Sequence, residues 1–342
     1  MSKLKTKKNI FVALILVIVI VITIGIFTVK NTIDNPFNVK ATSKFEVTSG
    51  DTINSVITRL SNEGYIKNEL LFKMYIKYKK FPSQIKVGPY ALKSGETIDT
   101  FINDLNKGIF DADMVKVTIP EGYDIDQIAD LLQKKGVVSK ADFIAACQNY
   151  KLPDFVKNDS ARRYKLEGYL FPDTYMFDKT KGPNEIIKMM LDNFQSKMTG
   201  LLKADNINLN KSDYDKIITM ASIVEGEAEV DSERSIIASV FYNRLNIKMK
   251  LQSCATVEYA LGYHKDKLYD KDIAIQSVYN TYLVPGLPEG PICNPGIKSI
   301  EAALKPSSTN YLYFVSKNNG THYFTNNLND FEKAKLKYQD SY

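Results

Sequence analysis

Residues 10–29, IFVALILVIVIVITIGIFTV, form a run of 20 positions without a charge. That is about the length a helix needs to cross a bilayer. Lys3, Lys5, Lys7 and Lys8 precede the run, and no acid appears before Asp34. The positive-inside tendency therefore puts the N-terminus in the cytoplasm and the chain beyond residue 30 outside. A cleaved signal peptide competes with this reading. Its apolar region is normally about 7–15 residues long and ends in a small-x-small site. The flanking TVKNTIDNP offers no such site, so a retained anchor is expected at 10–29 behind a cytoplasmic tail at 1–9.

After a polar, unpatterned spacer at 30–44, one pattern recurs. TSGDTINSVITRLSNEGYIKNELLF (48–72) aligns with IPEGYDIDQIADLLQKKGVVSKADF (119–143), pairing Gly50 with Gly122, Ile53 with Ile125, Leu60 with Leu132 and Gly64 with Gly136. A partial copy, LKSGETIDTFINDLNKG (92–108), keeps Gly95 and Ile98 in the same places. Each copy predicts a strand, a glycine turn and a short amphipathic helix closed by glycine. The strands fall on KFEVT, GPYAL and VKVTI. From residue 166 the pattern changes: helical periodicity over 184–203, 212–228 and 232–246, then the Pro/Gly-rich loop LVPGLPEGPICNPG (283–296). NYLYFVSKNNGTHYFTNN then predicts two strands joined by an Asn-Gly turn, with a last helix after it. The expected fold is α+β: a single N-terminal transmembrane helix, a β/α repeat region at 45–165, and an α+β domain at 166–342.

Composition narrows the function classes. The net charge of +6 owes four units to the lysines of the first nine residues; the remaining 41 basic and 39 acidic residues nearly cancel. A nucleic-acid binder would concentrate a basic face, so no nucleic-acid partner is expected. Three cysteines, Cys147, Cys254 and Cys293, and two histidines, His264 and His322, lack metal-ligand spacing. There is no phosphate loop and no G-x-S-x-G elbow. No metal and no cofactor are expected.

The candidate chemistry sits in IITMASIVEGEAEV (217–230), where Glu225, Glu227 and Glu229 follow an apolar run. A carboxyl held against apolar surface tends to keep its proton, as a general acid must. On a helical wheel, Ile217, Met220, Ala221, Val224 and Ala228 form one stripe. Glu225 flanks it beside Ile218 and Ala221; Glu227 flanks the other side, beside Met220 and Ile223. Gly226 could end or bend the helix. The wheel leaves Glu225 and Glu227 both open, and two solvated acids at a helix end remain an alternative.

Two resemblances add to this reading. The β-turn-α copies with their SGDT-like turn resemble LysM domains, which implies glycan binding; a spacer role is equally open. ASIVEGEAEVDSERSIIASVFYNRLNIKMKLQSCATVEYALG (221–262) resembles the signature of the MltG (YceG-like) endolytic murein transglycosylases. So do LEGYLFPDTY (166–175), YNTYLVPGLPEGPICNPG (279–296), SIEAALKP (299–306), and YLYFV (311–315) with HYF (322–324). The match covers nearly all of 45–342.

The resemblance implies a membrane-anchored lyase that cuts peptidoglycan strands internally, in the cell membrane with its catalytic domain outside. It implies Glu225 as the catalytic residue, Glu227 as a supporting acid, and no cofactor. Penicillin-binding proteins or other cell-wall synthases are the implied partners. Glu167, Gln252, Ser253, Asn280 and Asn294 are polar residues of the matching motifs and candidates for sugar binding. Tyr169, Tyr279 and Tyr282 are candidates to stack on sugar faces, although Tyr169 suits a core equally well. Arg244 and Glu233 are expected to be structural ion-pair partners. Where the family often reads Asp-Pro, this chain has Cys254 and Ala255, and Val278 replaces a common proline; Cys254 is expected to be small and buried. Two other readings remain: a water-using muramidase, and a membrane-tethered glycan-binding scaffold.

Overall fold

A computed structural model describes residues 23, 25, 27–39, 43–109, 114–265 and 267–339. Most of the expected anchor at 10–29, and all of the tail at 1–9, lie outside the described residues. Among the described residues no helix is long and apolar enough to cross a membrane.

The chain divides into two compact units between Met114 and Val115. In the first, β1 (Ser43–Val47) leads to α1 (Ile53–Asn62), α2 (Glu69–Lys79), β2 (Gly88–Leu92) and α3 (Ile98–Lys107). β1 and β2 pair antiparallel, Phe45 opposite Tyr90 and Val47 opposite Gly88. Thr52 caps α1 with a reciprocal capping box through Ser55, and Thr97 caps α3. α1 buries Ile53, Val56, Ile57 and Leu60; α3 buries Ile98, Phe101, Ile102 and Leu105. These are matching positions of the repeat. They close a core with Phe37, Phe72 and Tyr90. Each such side chain taken out of water contributes about 1.5–3 kcal/mol.

The second unit opens with β3 (Met114–Thr118), α4 (Ile125–Lys134) and α5 (Lys140–Asn149). β3 pairs with β4 (Thr174–Asp178), so the order β-α-α-β appears twice in the chain. α4 repeats the pattern of α1: an Asp124 capping box and a buried face of Ile125, Ile128, Ala129 and Leu132. Here the sequence boundary at 165/166 needs correction. That face joins one core with Ile218, Val224 and Phe241, far downstream. Residues 115–165 thus belong with the unit that carries the glutamates.

The rest of this unit is mainly helical: α6 (Pro183–Ala204), α7 (Tyr214–Glu227), α8 (Arg234–Asn246), α9 (Cys254–Leu261), the short α10 (Asp270–Ile273), α11 (Ile297–Leu304) and α12 (Leu328–Gln339). β5 (Tyr313–Ser316) and β6 (His322–Thr325) form the expected hairpin, Tyr313 opposite Thr325. α7 is central. Every residue from Ile218 to Val224 is buried, so the single stripe of the wheel understates its surroundings. A helix apolar on all sides belongs in the interior.

Candidate active site

α7 runs through Gly226 and ends at Glu227, so the glycine neither breaks nor stops it. Its role is close packing: a Cβ on Gly226 would lie 2.7 Å from the Cβ of Ala255 at the start of α9. Glu225 and Glu227 are two residues apart on this last turn, about 200° around the axis, and face opposite ways.

Glu225 is held on both carboxylate oxygens. Arg234, the first residue of α8, donates from a guanidinium nitrogen to Oε1 at 3.2 Å. The backbone N–H of Gly296 donates to Oε2 at 3.0 Å. Its side chain is 7% exposed, so a small opening reaches it. Arg234 is fixed in turn by Ser299 of α11 at 2.6 Å and by Asp231 at 3.0 Å. Burial alone would lower the Arg234 pKa; the carboxylates of Glu225 and Asp231 more than offset it and keep the charge on.

The loop that supplies the Gly296 amide is tied to α7. The N–H of Ile292 donates to Ser222 Oγ at 3.0 Å, and Cys293 Sγ lies 3.4 Å from the Ser222 carbonyl. Asn294 is its hub. Asn294 exchanges backbone bonds with the turn after β3: Gly122 N–H to its carbonyl at 3.0 Å, and its own N–H to Tyr123 O at 2.9 Å. The Asn294 side chain accepts from Leu170 N–H at 2.9 Å and donates to Glu167 Oε1 at 3.0 Å. Glu167 also accepts from Ile125 N–H at 3.3 Å and Tyr259 Oη at 3.1 Å. Burial, followed by the charge of Asp124, pushes the Glu167 carboxyl well above the usual range. The turn of the third repeat copy thereby touches the site: a Cβ on Gly122 would lie 3.6 Å from Glu225 Cγ.

The structure sorts the other candidates. Glu227 accepts a short hydrogen bond from Ser253 Oγ and is held by the Ala255 amide, so it caps α9 from within the protein. Burial raises its carboxyl above the usual range. Glu167, Asn280 and Asn294 are fully buried, with side chains spent on internal bonds. Asn280 Nδ2 donates to the carbonyls of Ile273 and Ile275, shaping its own loop. Tyr169 is core: its ring meets Phe194 edge-on at 5.2 Å and its hydroxyl donates to Asp215 at 3.0 Å. Tyr279 is buried against Tyr259. Burial removes both tyrosines as stacking platforms. Gln252, exposed with φ at 50°, and half-buried Tyr282 keep access to solvent.

Two expectations need correction. Cys254 is exposed, its Sγ 3.3 Å from Tyr282 Oη. Arg244 and Glu233 do not pair with each other: Arg244 donates to the carbonyls of Leu312 and Leu251, and Glu233 takes the His322 ring at 2.8 Å. The cation beside Glu225 is Arg234, which the wheel could not find because a 3-10 turn at Asp231–Glu233 separates the two helices. Glu121 was also missed. A Cβ on Gly296 would lie 2.0 Å from Glu121 Oε1, so this carboxyl rests against the residue whose amide holds Glu225.

The YceG-like family pattern matches residues 45–337. An endolytic murein transglycosylase of Bacillus subtilis is 40% identical over 314 residues, 88% of this chain and 86% of that protein. One from Streptococcus pneumoniae is 32% identical over 352 residues, covering 93% of this chain but 63% of its own longer chain. A crystal structure of a yceG-like protein from Listeria monocytogenes is 36% identical, superposes with a TM-score of 0.57, and covers 86% of this chain and 99% of its own.

Proposed function

The chain belongs to the YceG-like family, and from that premise we propose that it is an endolytic peptidoglycan lytic transglycosylase. It cleaves the bond between N-acetylmuramic acid and N-acetylglucosamine inside glycan strands and leaves 1,6-anhydro ends. The observation that carries the reading is the Glu225 carboxyl, one edge open and both oxygens fixed by Arg234 and the Gly296 amide. A group so fixed is oriented before substrate arrives.

Glu225 gives a proton to the oxygen that leaves C1 of the muramic acid. Positive charge develops at C1, and the 6-hydroxyl of the same sugar attacks it. Glu225 takes back the hydroxyl proton. The bond from C1 to the leaving oxygen is replaced by a bond from C1 to O6, with no water consumed. Gln252 and Tyr282, the accessible candidates, contact sugar. Glu167, Asn294, Ser253, Glu227 and Asn280 hold the loops that frame the cleft.

The first unit, with its β-α-α-β order, is LysM-like in this reading and holds glycan strands. Residues 10–29 anchor the protein in the cell membrane with the N-terminus cytoplasmic. Cell-wall synthases such as penicillin-binding proteins are its neighbours there, and the cut limits the length of nascent strands. A muramidase is the second reading, favoured only by the extra carboxyl of Glu121 beside the site, since hydrolysis of the usual kind uses two carboxyl groups.

Mass spectrometry of the products separates the two. The full chain, incubated with uncrosslinked glycan strands, is expected to release fragments ending in 1,6-anhydro-N-acetylmuramic acid. Reducing ends, one water heavier, would make it a hydrolase. Strand binding without cleavage would make it a scaffold.

A further inference from the structure

Within the first unit, α2 is apolar on two sides. Its inner side sends Phe72 into the core, with half-buried Tyr75 and Ile76 packed beside it. Its outer side carries Leu70, Met74 and Tyr78, which are 69%, 58% and 80% exposed. Residues four apart lie one above the other on a helix, so the three form a stripe about 12 Å long. The outer positions of the neighbouring helices are polar: Asn54, Ser55 and Asn62 on α1, Thr100, Asn103 and Lys107 on α3. Single exposed apolar side chains are ordinary, but a row of them on one face marks a surface that something covers.

The charge around the stripe narrows what that is. Residues 64–93 hold seven lysines and one acid, Glu69. Lys77 shares the outer face, about 20° around the axis from Leu70. Lys67 and Lys80 stand exposed at the two ends of the helix. Lysine is depleted at the buried centre of protein–protein interfaces. Apolar residues mixed with lysines suit a lipid surface instead: the apolar groups enter the headgroup layer, and the ammonium groups reach up to phosphates. Tyrosine, with an apolar ring and a polar tip, is enriched at that depth.

The path of the chain brings α2 to such a surface. Residues 27–34 are helical. The chain is then tied to the start of α2: Lys67 Nζ donates to the Asn35 carbonyl at 2.8 Å, and Lys67 N–H to the Pro36 carbonyl at 3.0 Å. The Phe37 ring packs on Phe72 of α2, centroids 5.8 Å apart. Only six residues lead from Val29, the last of the apolar run, to Asn35. They span about 9 Å as helix and at most about 22 Å fully extended. The start of α2 is thus held within that reach of the place where the run ends.

We propose that α2 is an interfacial helix: Leu70, Met74 and Tyr78 rest in the headgroup layer of an anionic phospholipid bilayer, and Lys67, Lys77 and Lys80 meet its phosphates. This rests on the reading of residues 10–29 as a membrane anchor and adds a second hold on the same bilayer. A single span leaves the unit free to swivel. A helix seated beside the span fixes which face of the unit meets the lipid.

The chain has no tryptophan, so one introduced indole reports alone. Met74→Trp, Tyr78→Trp, Asn103→Trp and Leu16→Trp are each made in the full chain. They are reconstituted in vesicles of phosphatidylglycerol and phosphatidylcholine with brominated acyl chains, which quench an indole on contact. Leu16→Trp, within the apolar run, should be quenched strongly. Met74→Trp and Tyr78→Trp should be quenched at least about twofold more than Asn103→Trp on the outer side of α3. In phosphatidylcholine alone that quenching should fall, because the lysines lose their anionic partners. Met74, Tyr78 and Asn103 are exposed, so these substitutions leave the core intact. Quenching at 74 and 78 no stronger than at 103, with Leu16→Trp quenched, would overturn the proposal. A Met74→Trp emission that shifts to shorter wavelength with protein density, without quenching by bromine, would overturn it by assigning the stripe to a second copy. Quenching indifferent to lipid charge would overturn the anionic surface as the occupant. Failure of the underlying reading looks different: Leu16→Trp left unquenched would remove the anchor, and with it the tether on which the proposal depends.

Discussion

Gly50 and Gly122 occupy the same place in two copies of one strand–turn–helix pattern, with φ of 91° and 79°. Around Gly50 the Cβ position meets nothing within 4 Å, while at Gly122 it meets Glu225 Cγ. The first turn is closed by its own polar residues: Asp51 accepts from Thr48 N–H at 2.9 Å, from Ser55 Oγ at 3.0 Å and from Arg59 at 3.1 Å. The second is closed by a distant loop through Asn294. A self-sufficient turn can serve a free-standing module. A turn that needs a residue 171 positions away becomes part of a site. The same local pattern thus serves two purposes, and what decides between them is the partner that completes it.

Substitutions inside the two repeat helices should separate the copies. Ile57 and Ile128 are both fully buried. Replacing either with Ala should cost about 2–5 kcal/mol. Hydrogen exchange should show Ile57→Ala loosening residues 43–109, and Ile128→Ala loosening the unit that carries Glu225. Exchange rising equally in both units would erase the distinction. At the glycines, Ala should cost about 1 kcal/mol at either place, because both need the left-handed region. Only Gly122→Ala should also slow cleavage, by at least about 10-fold, since a small displacement at a reacting group is costly. Equal cleavage by the two Gly→Ala variants would show that the second turn does not shape the site.

Smaller effects follow from charge, with opposite signs in the two units. Asp51 is raised by partial desolvation, but the Thr48, Ser55 and Arg59 contacts outweigh it and bring its pKa below the ordinary value. A lowered folded pKa gives stability that is present above the unfolded pKa and lost as pH falls through the folded one. Glu167 is raised, so its contribution is present below the unfolded pKa and lost as pH rises through the folded one. Thermal melts across pH should therefore show Asp51→Asn flattening the acid-side loss of the first unit. Glu167→Gln should flatten the alkaline-side loss of the second. Unchanged slopes would remove both groups from the pH response.

Much of this was legible in the chain. The repeat predicted three strand–turn–helix copies, and each forms with its apolar residues at matching buried positions. The helices around 184–246 and the Asn-Gly hairpin also follow from periodicity and turn chemistry. The boundary at 165/166 failed because a repeat reports local pattern, whereas the core that captured α4 is built from residues about 90 positions downstream. The site was half legible for the same reason. Glu225 could be narrowed to one of two acids, but its partners, Arg234 and the Gly296 amide, come from two other segments. Asn280 and Asn294 stand in the motifs as polar residues; only the folded chain shows that their amides are spent inside.

Cleavage of uncrosslinked glycan strands by Glu225→Gln, alongside its thermal melt, tests the central claim most directly. The amide keeps the shape of the side chain but cannot serve as acid and base. Cleavage is expected to fall by at least about 1,000-fold while the melt stays within a few degrees of the unaltered protein. A variant that folds and cleaves at the original rate would contradict a catalytic role for Glu225.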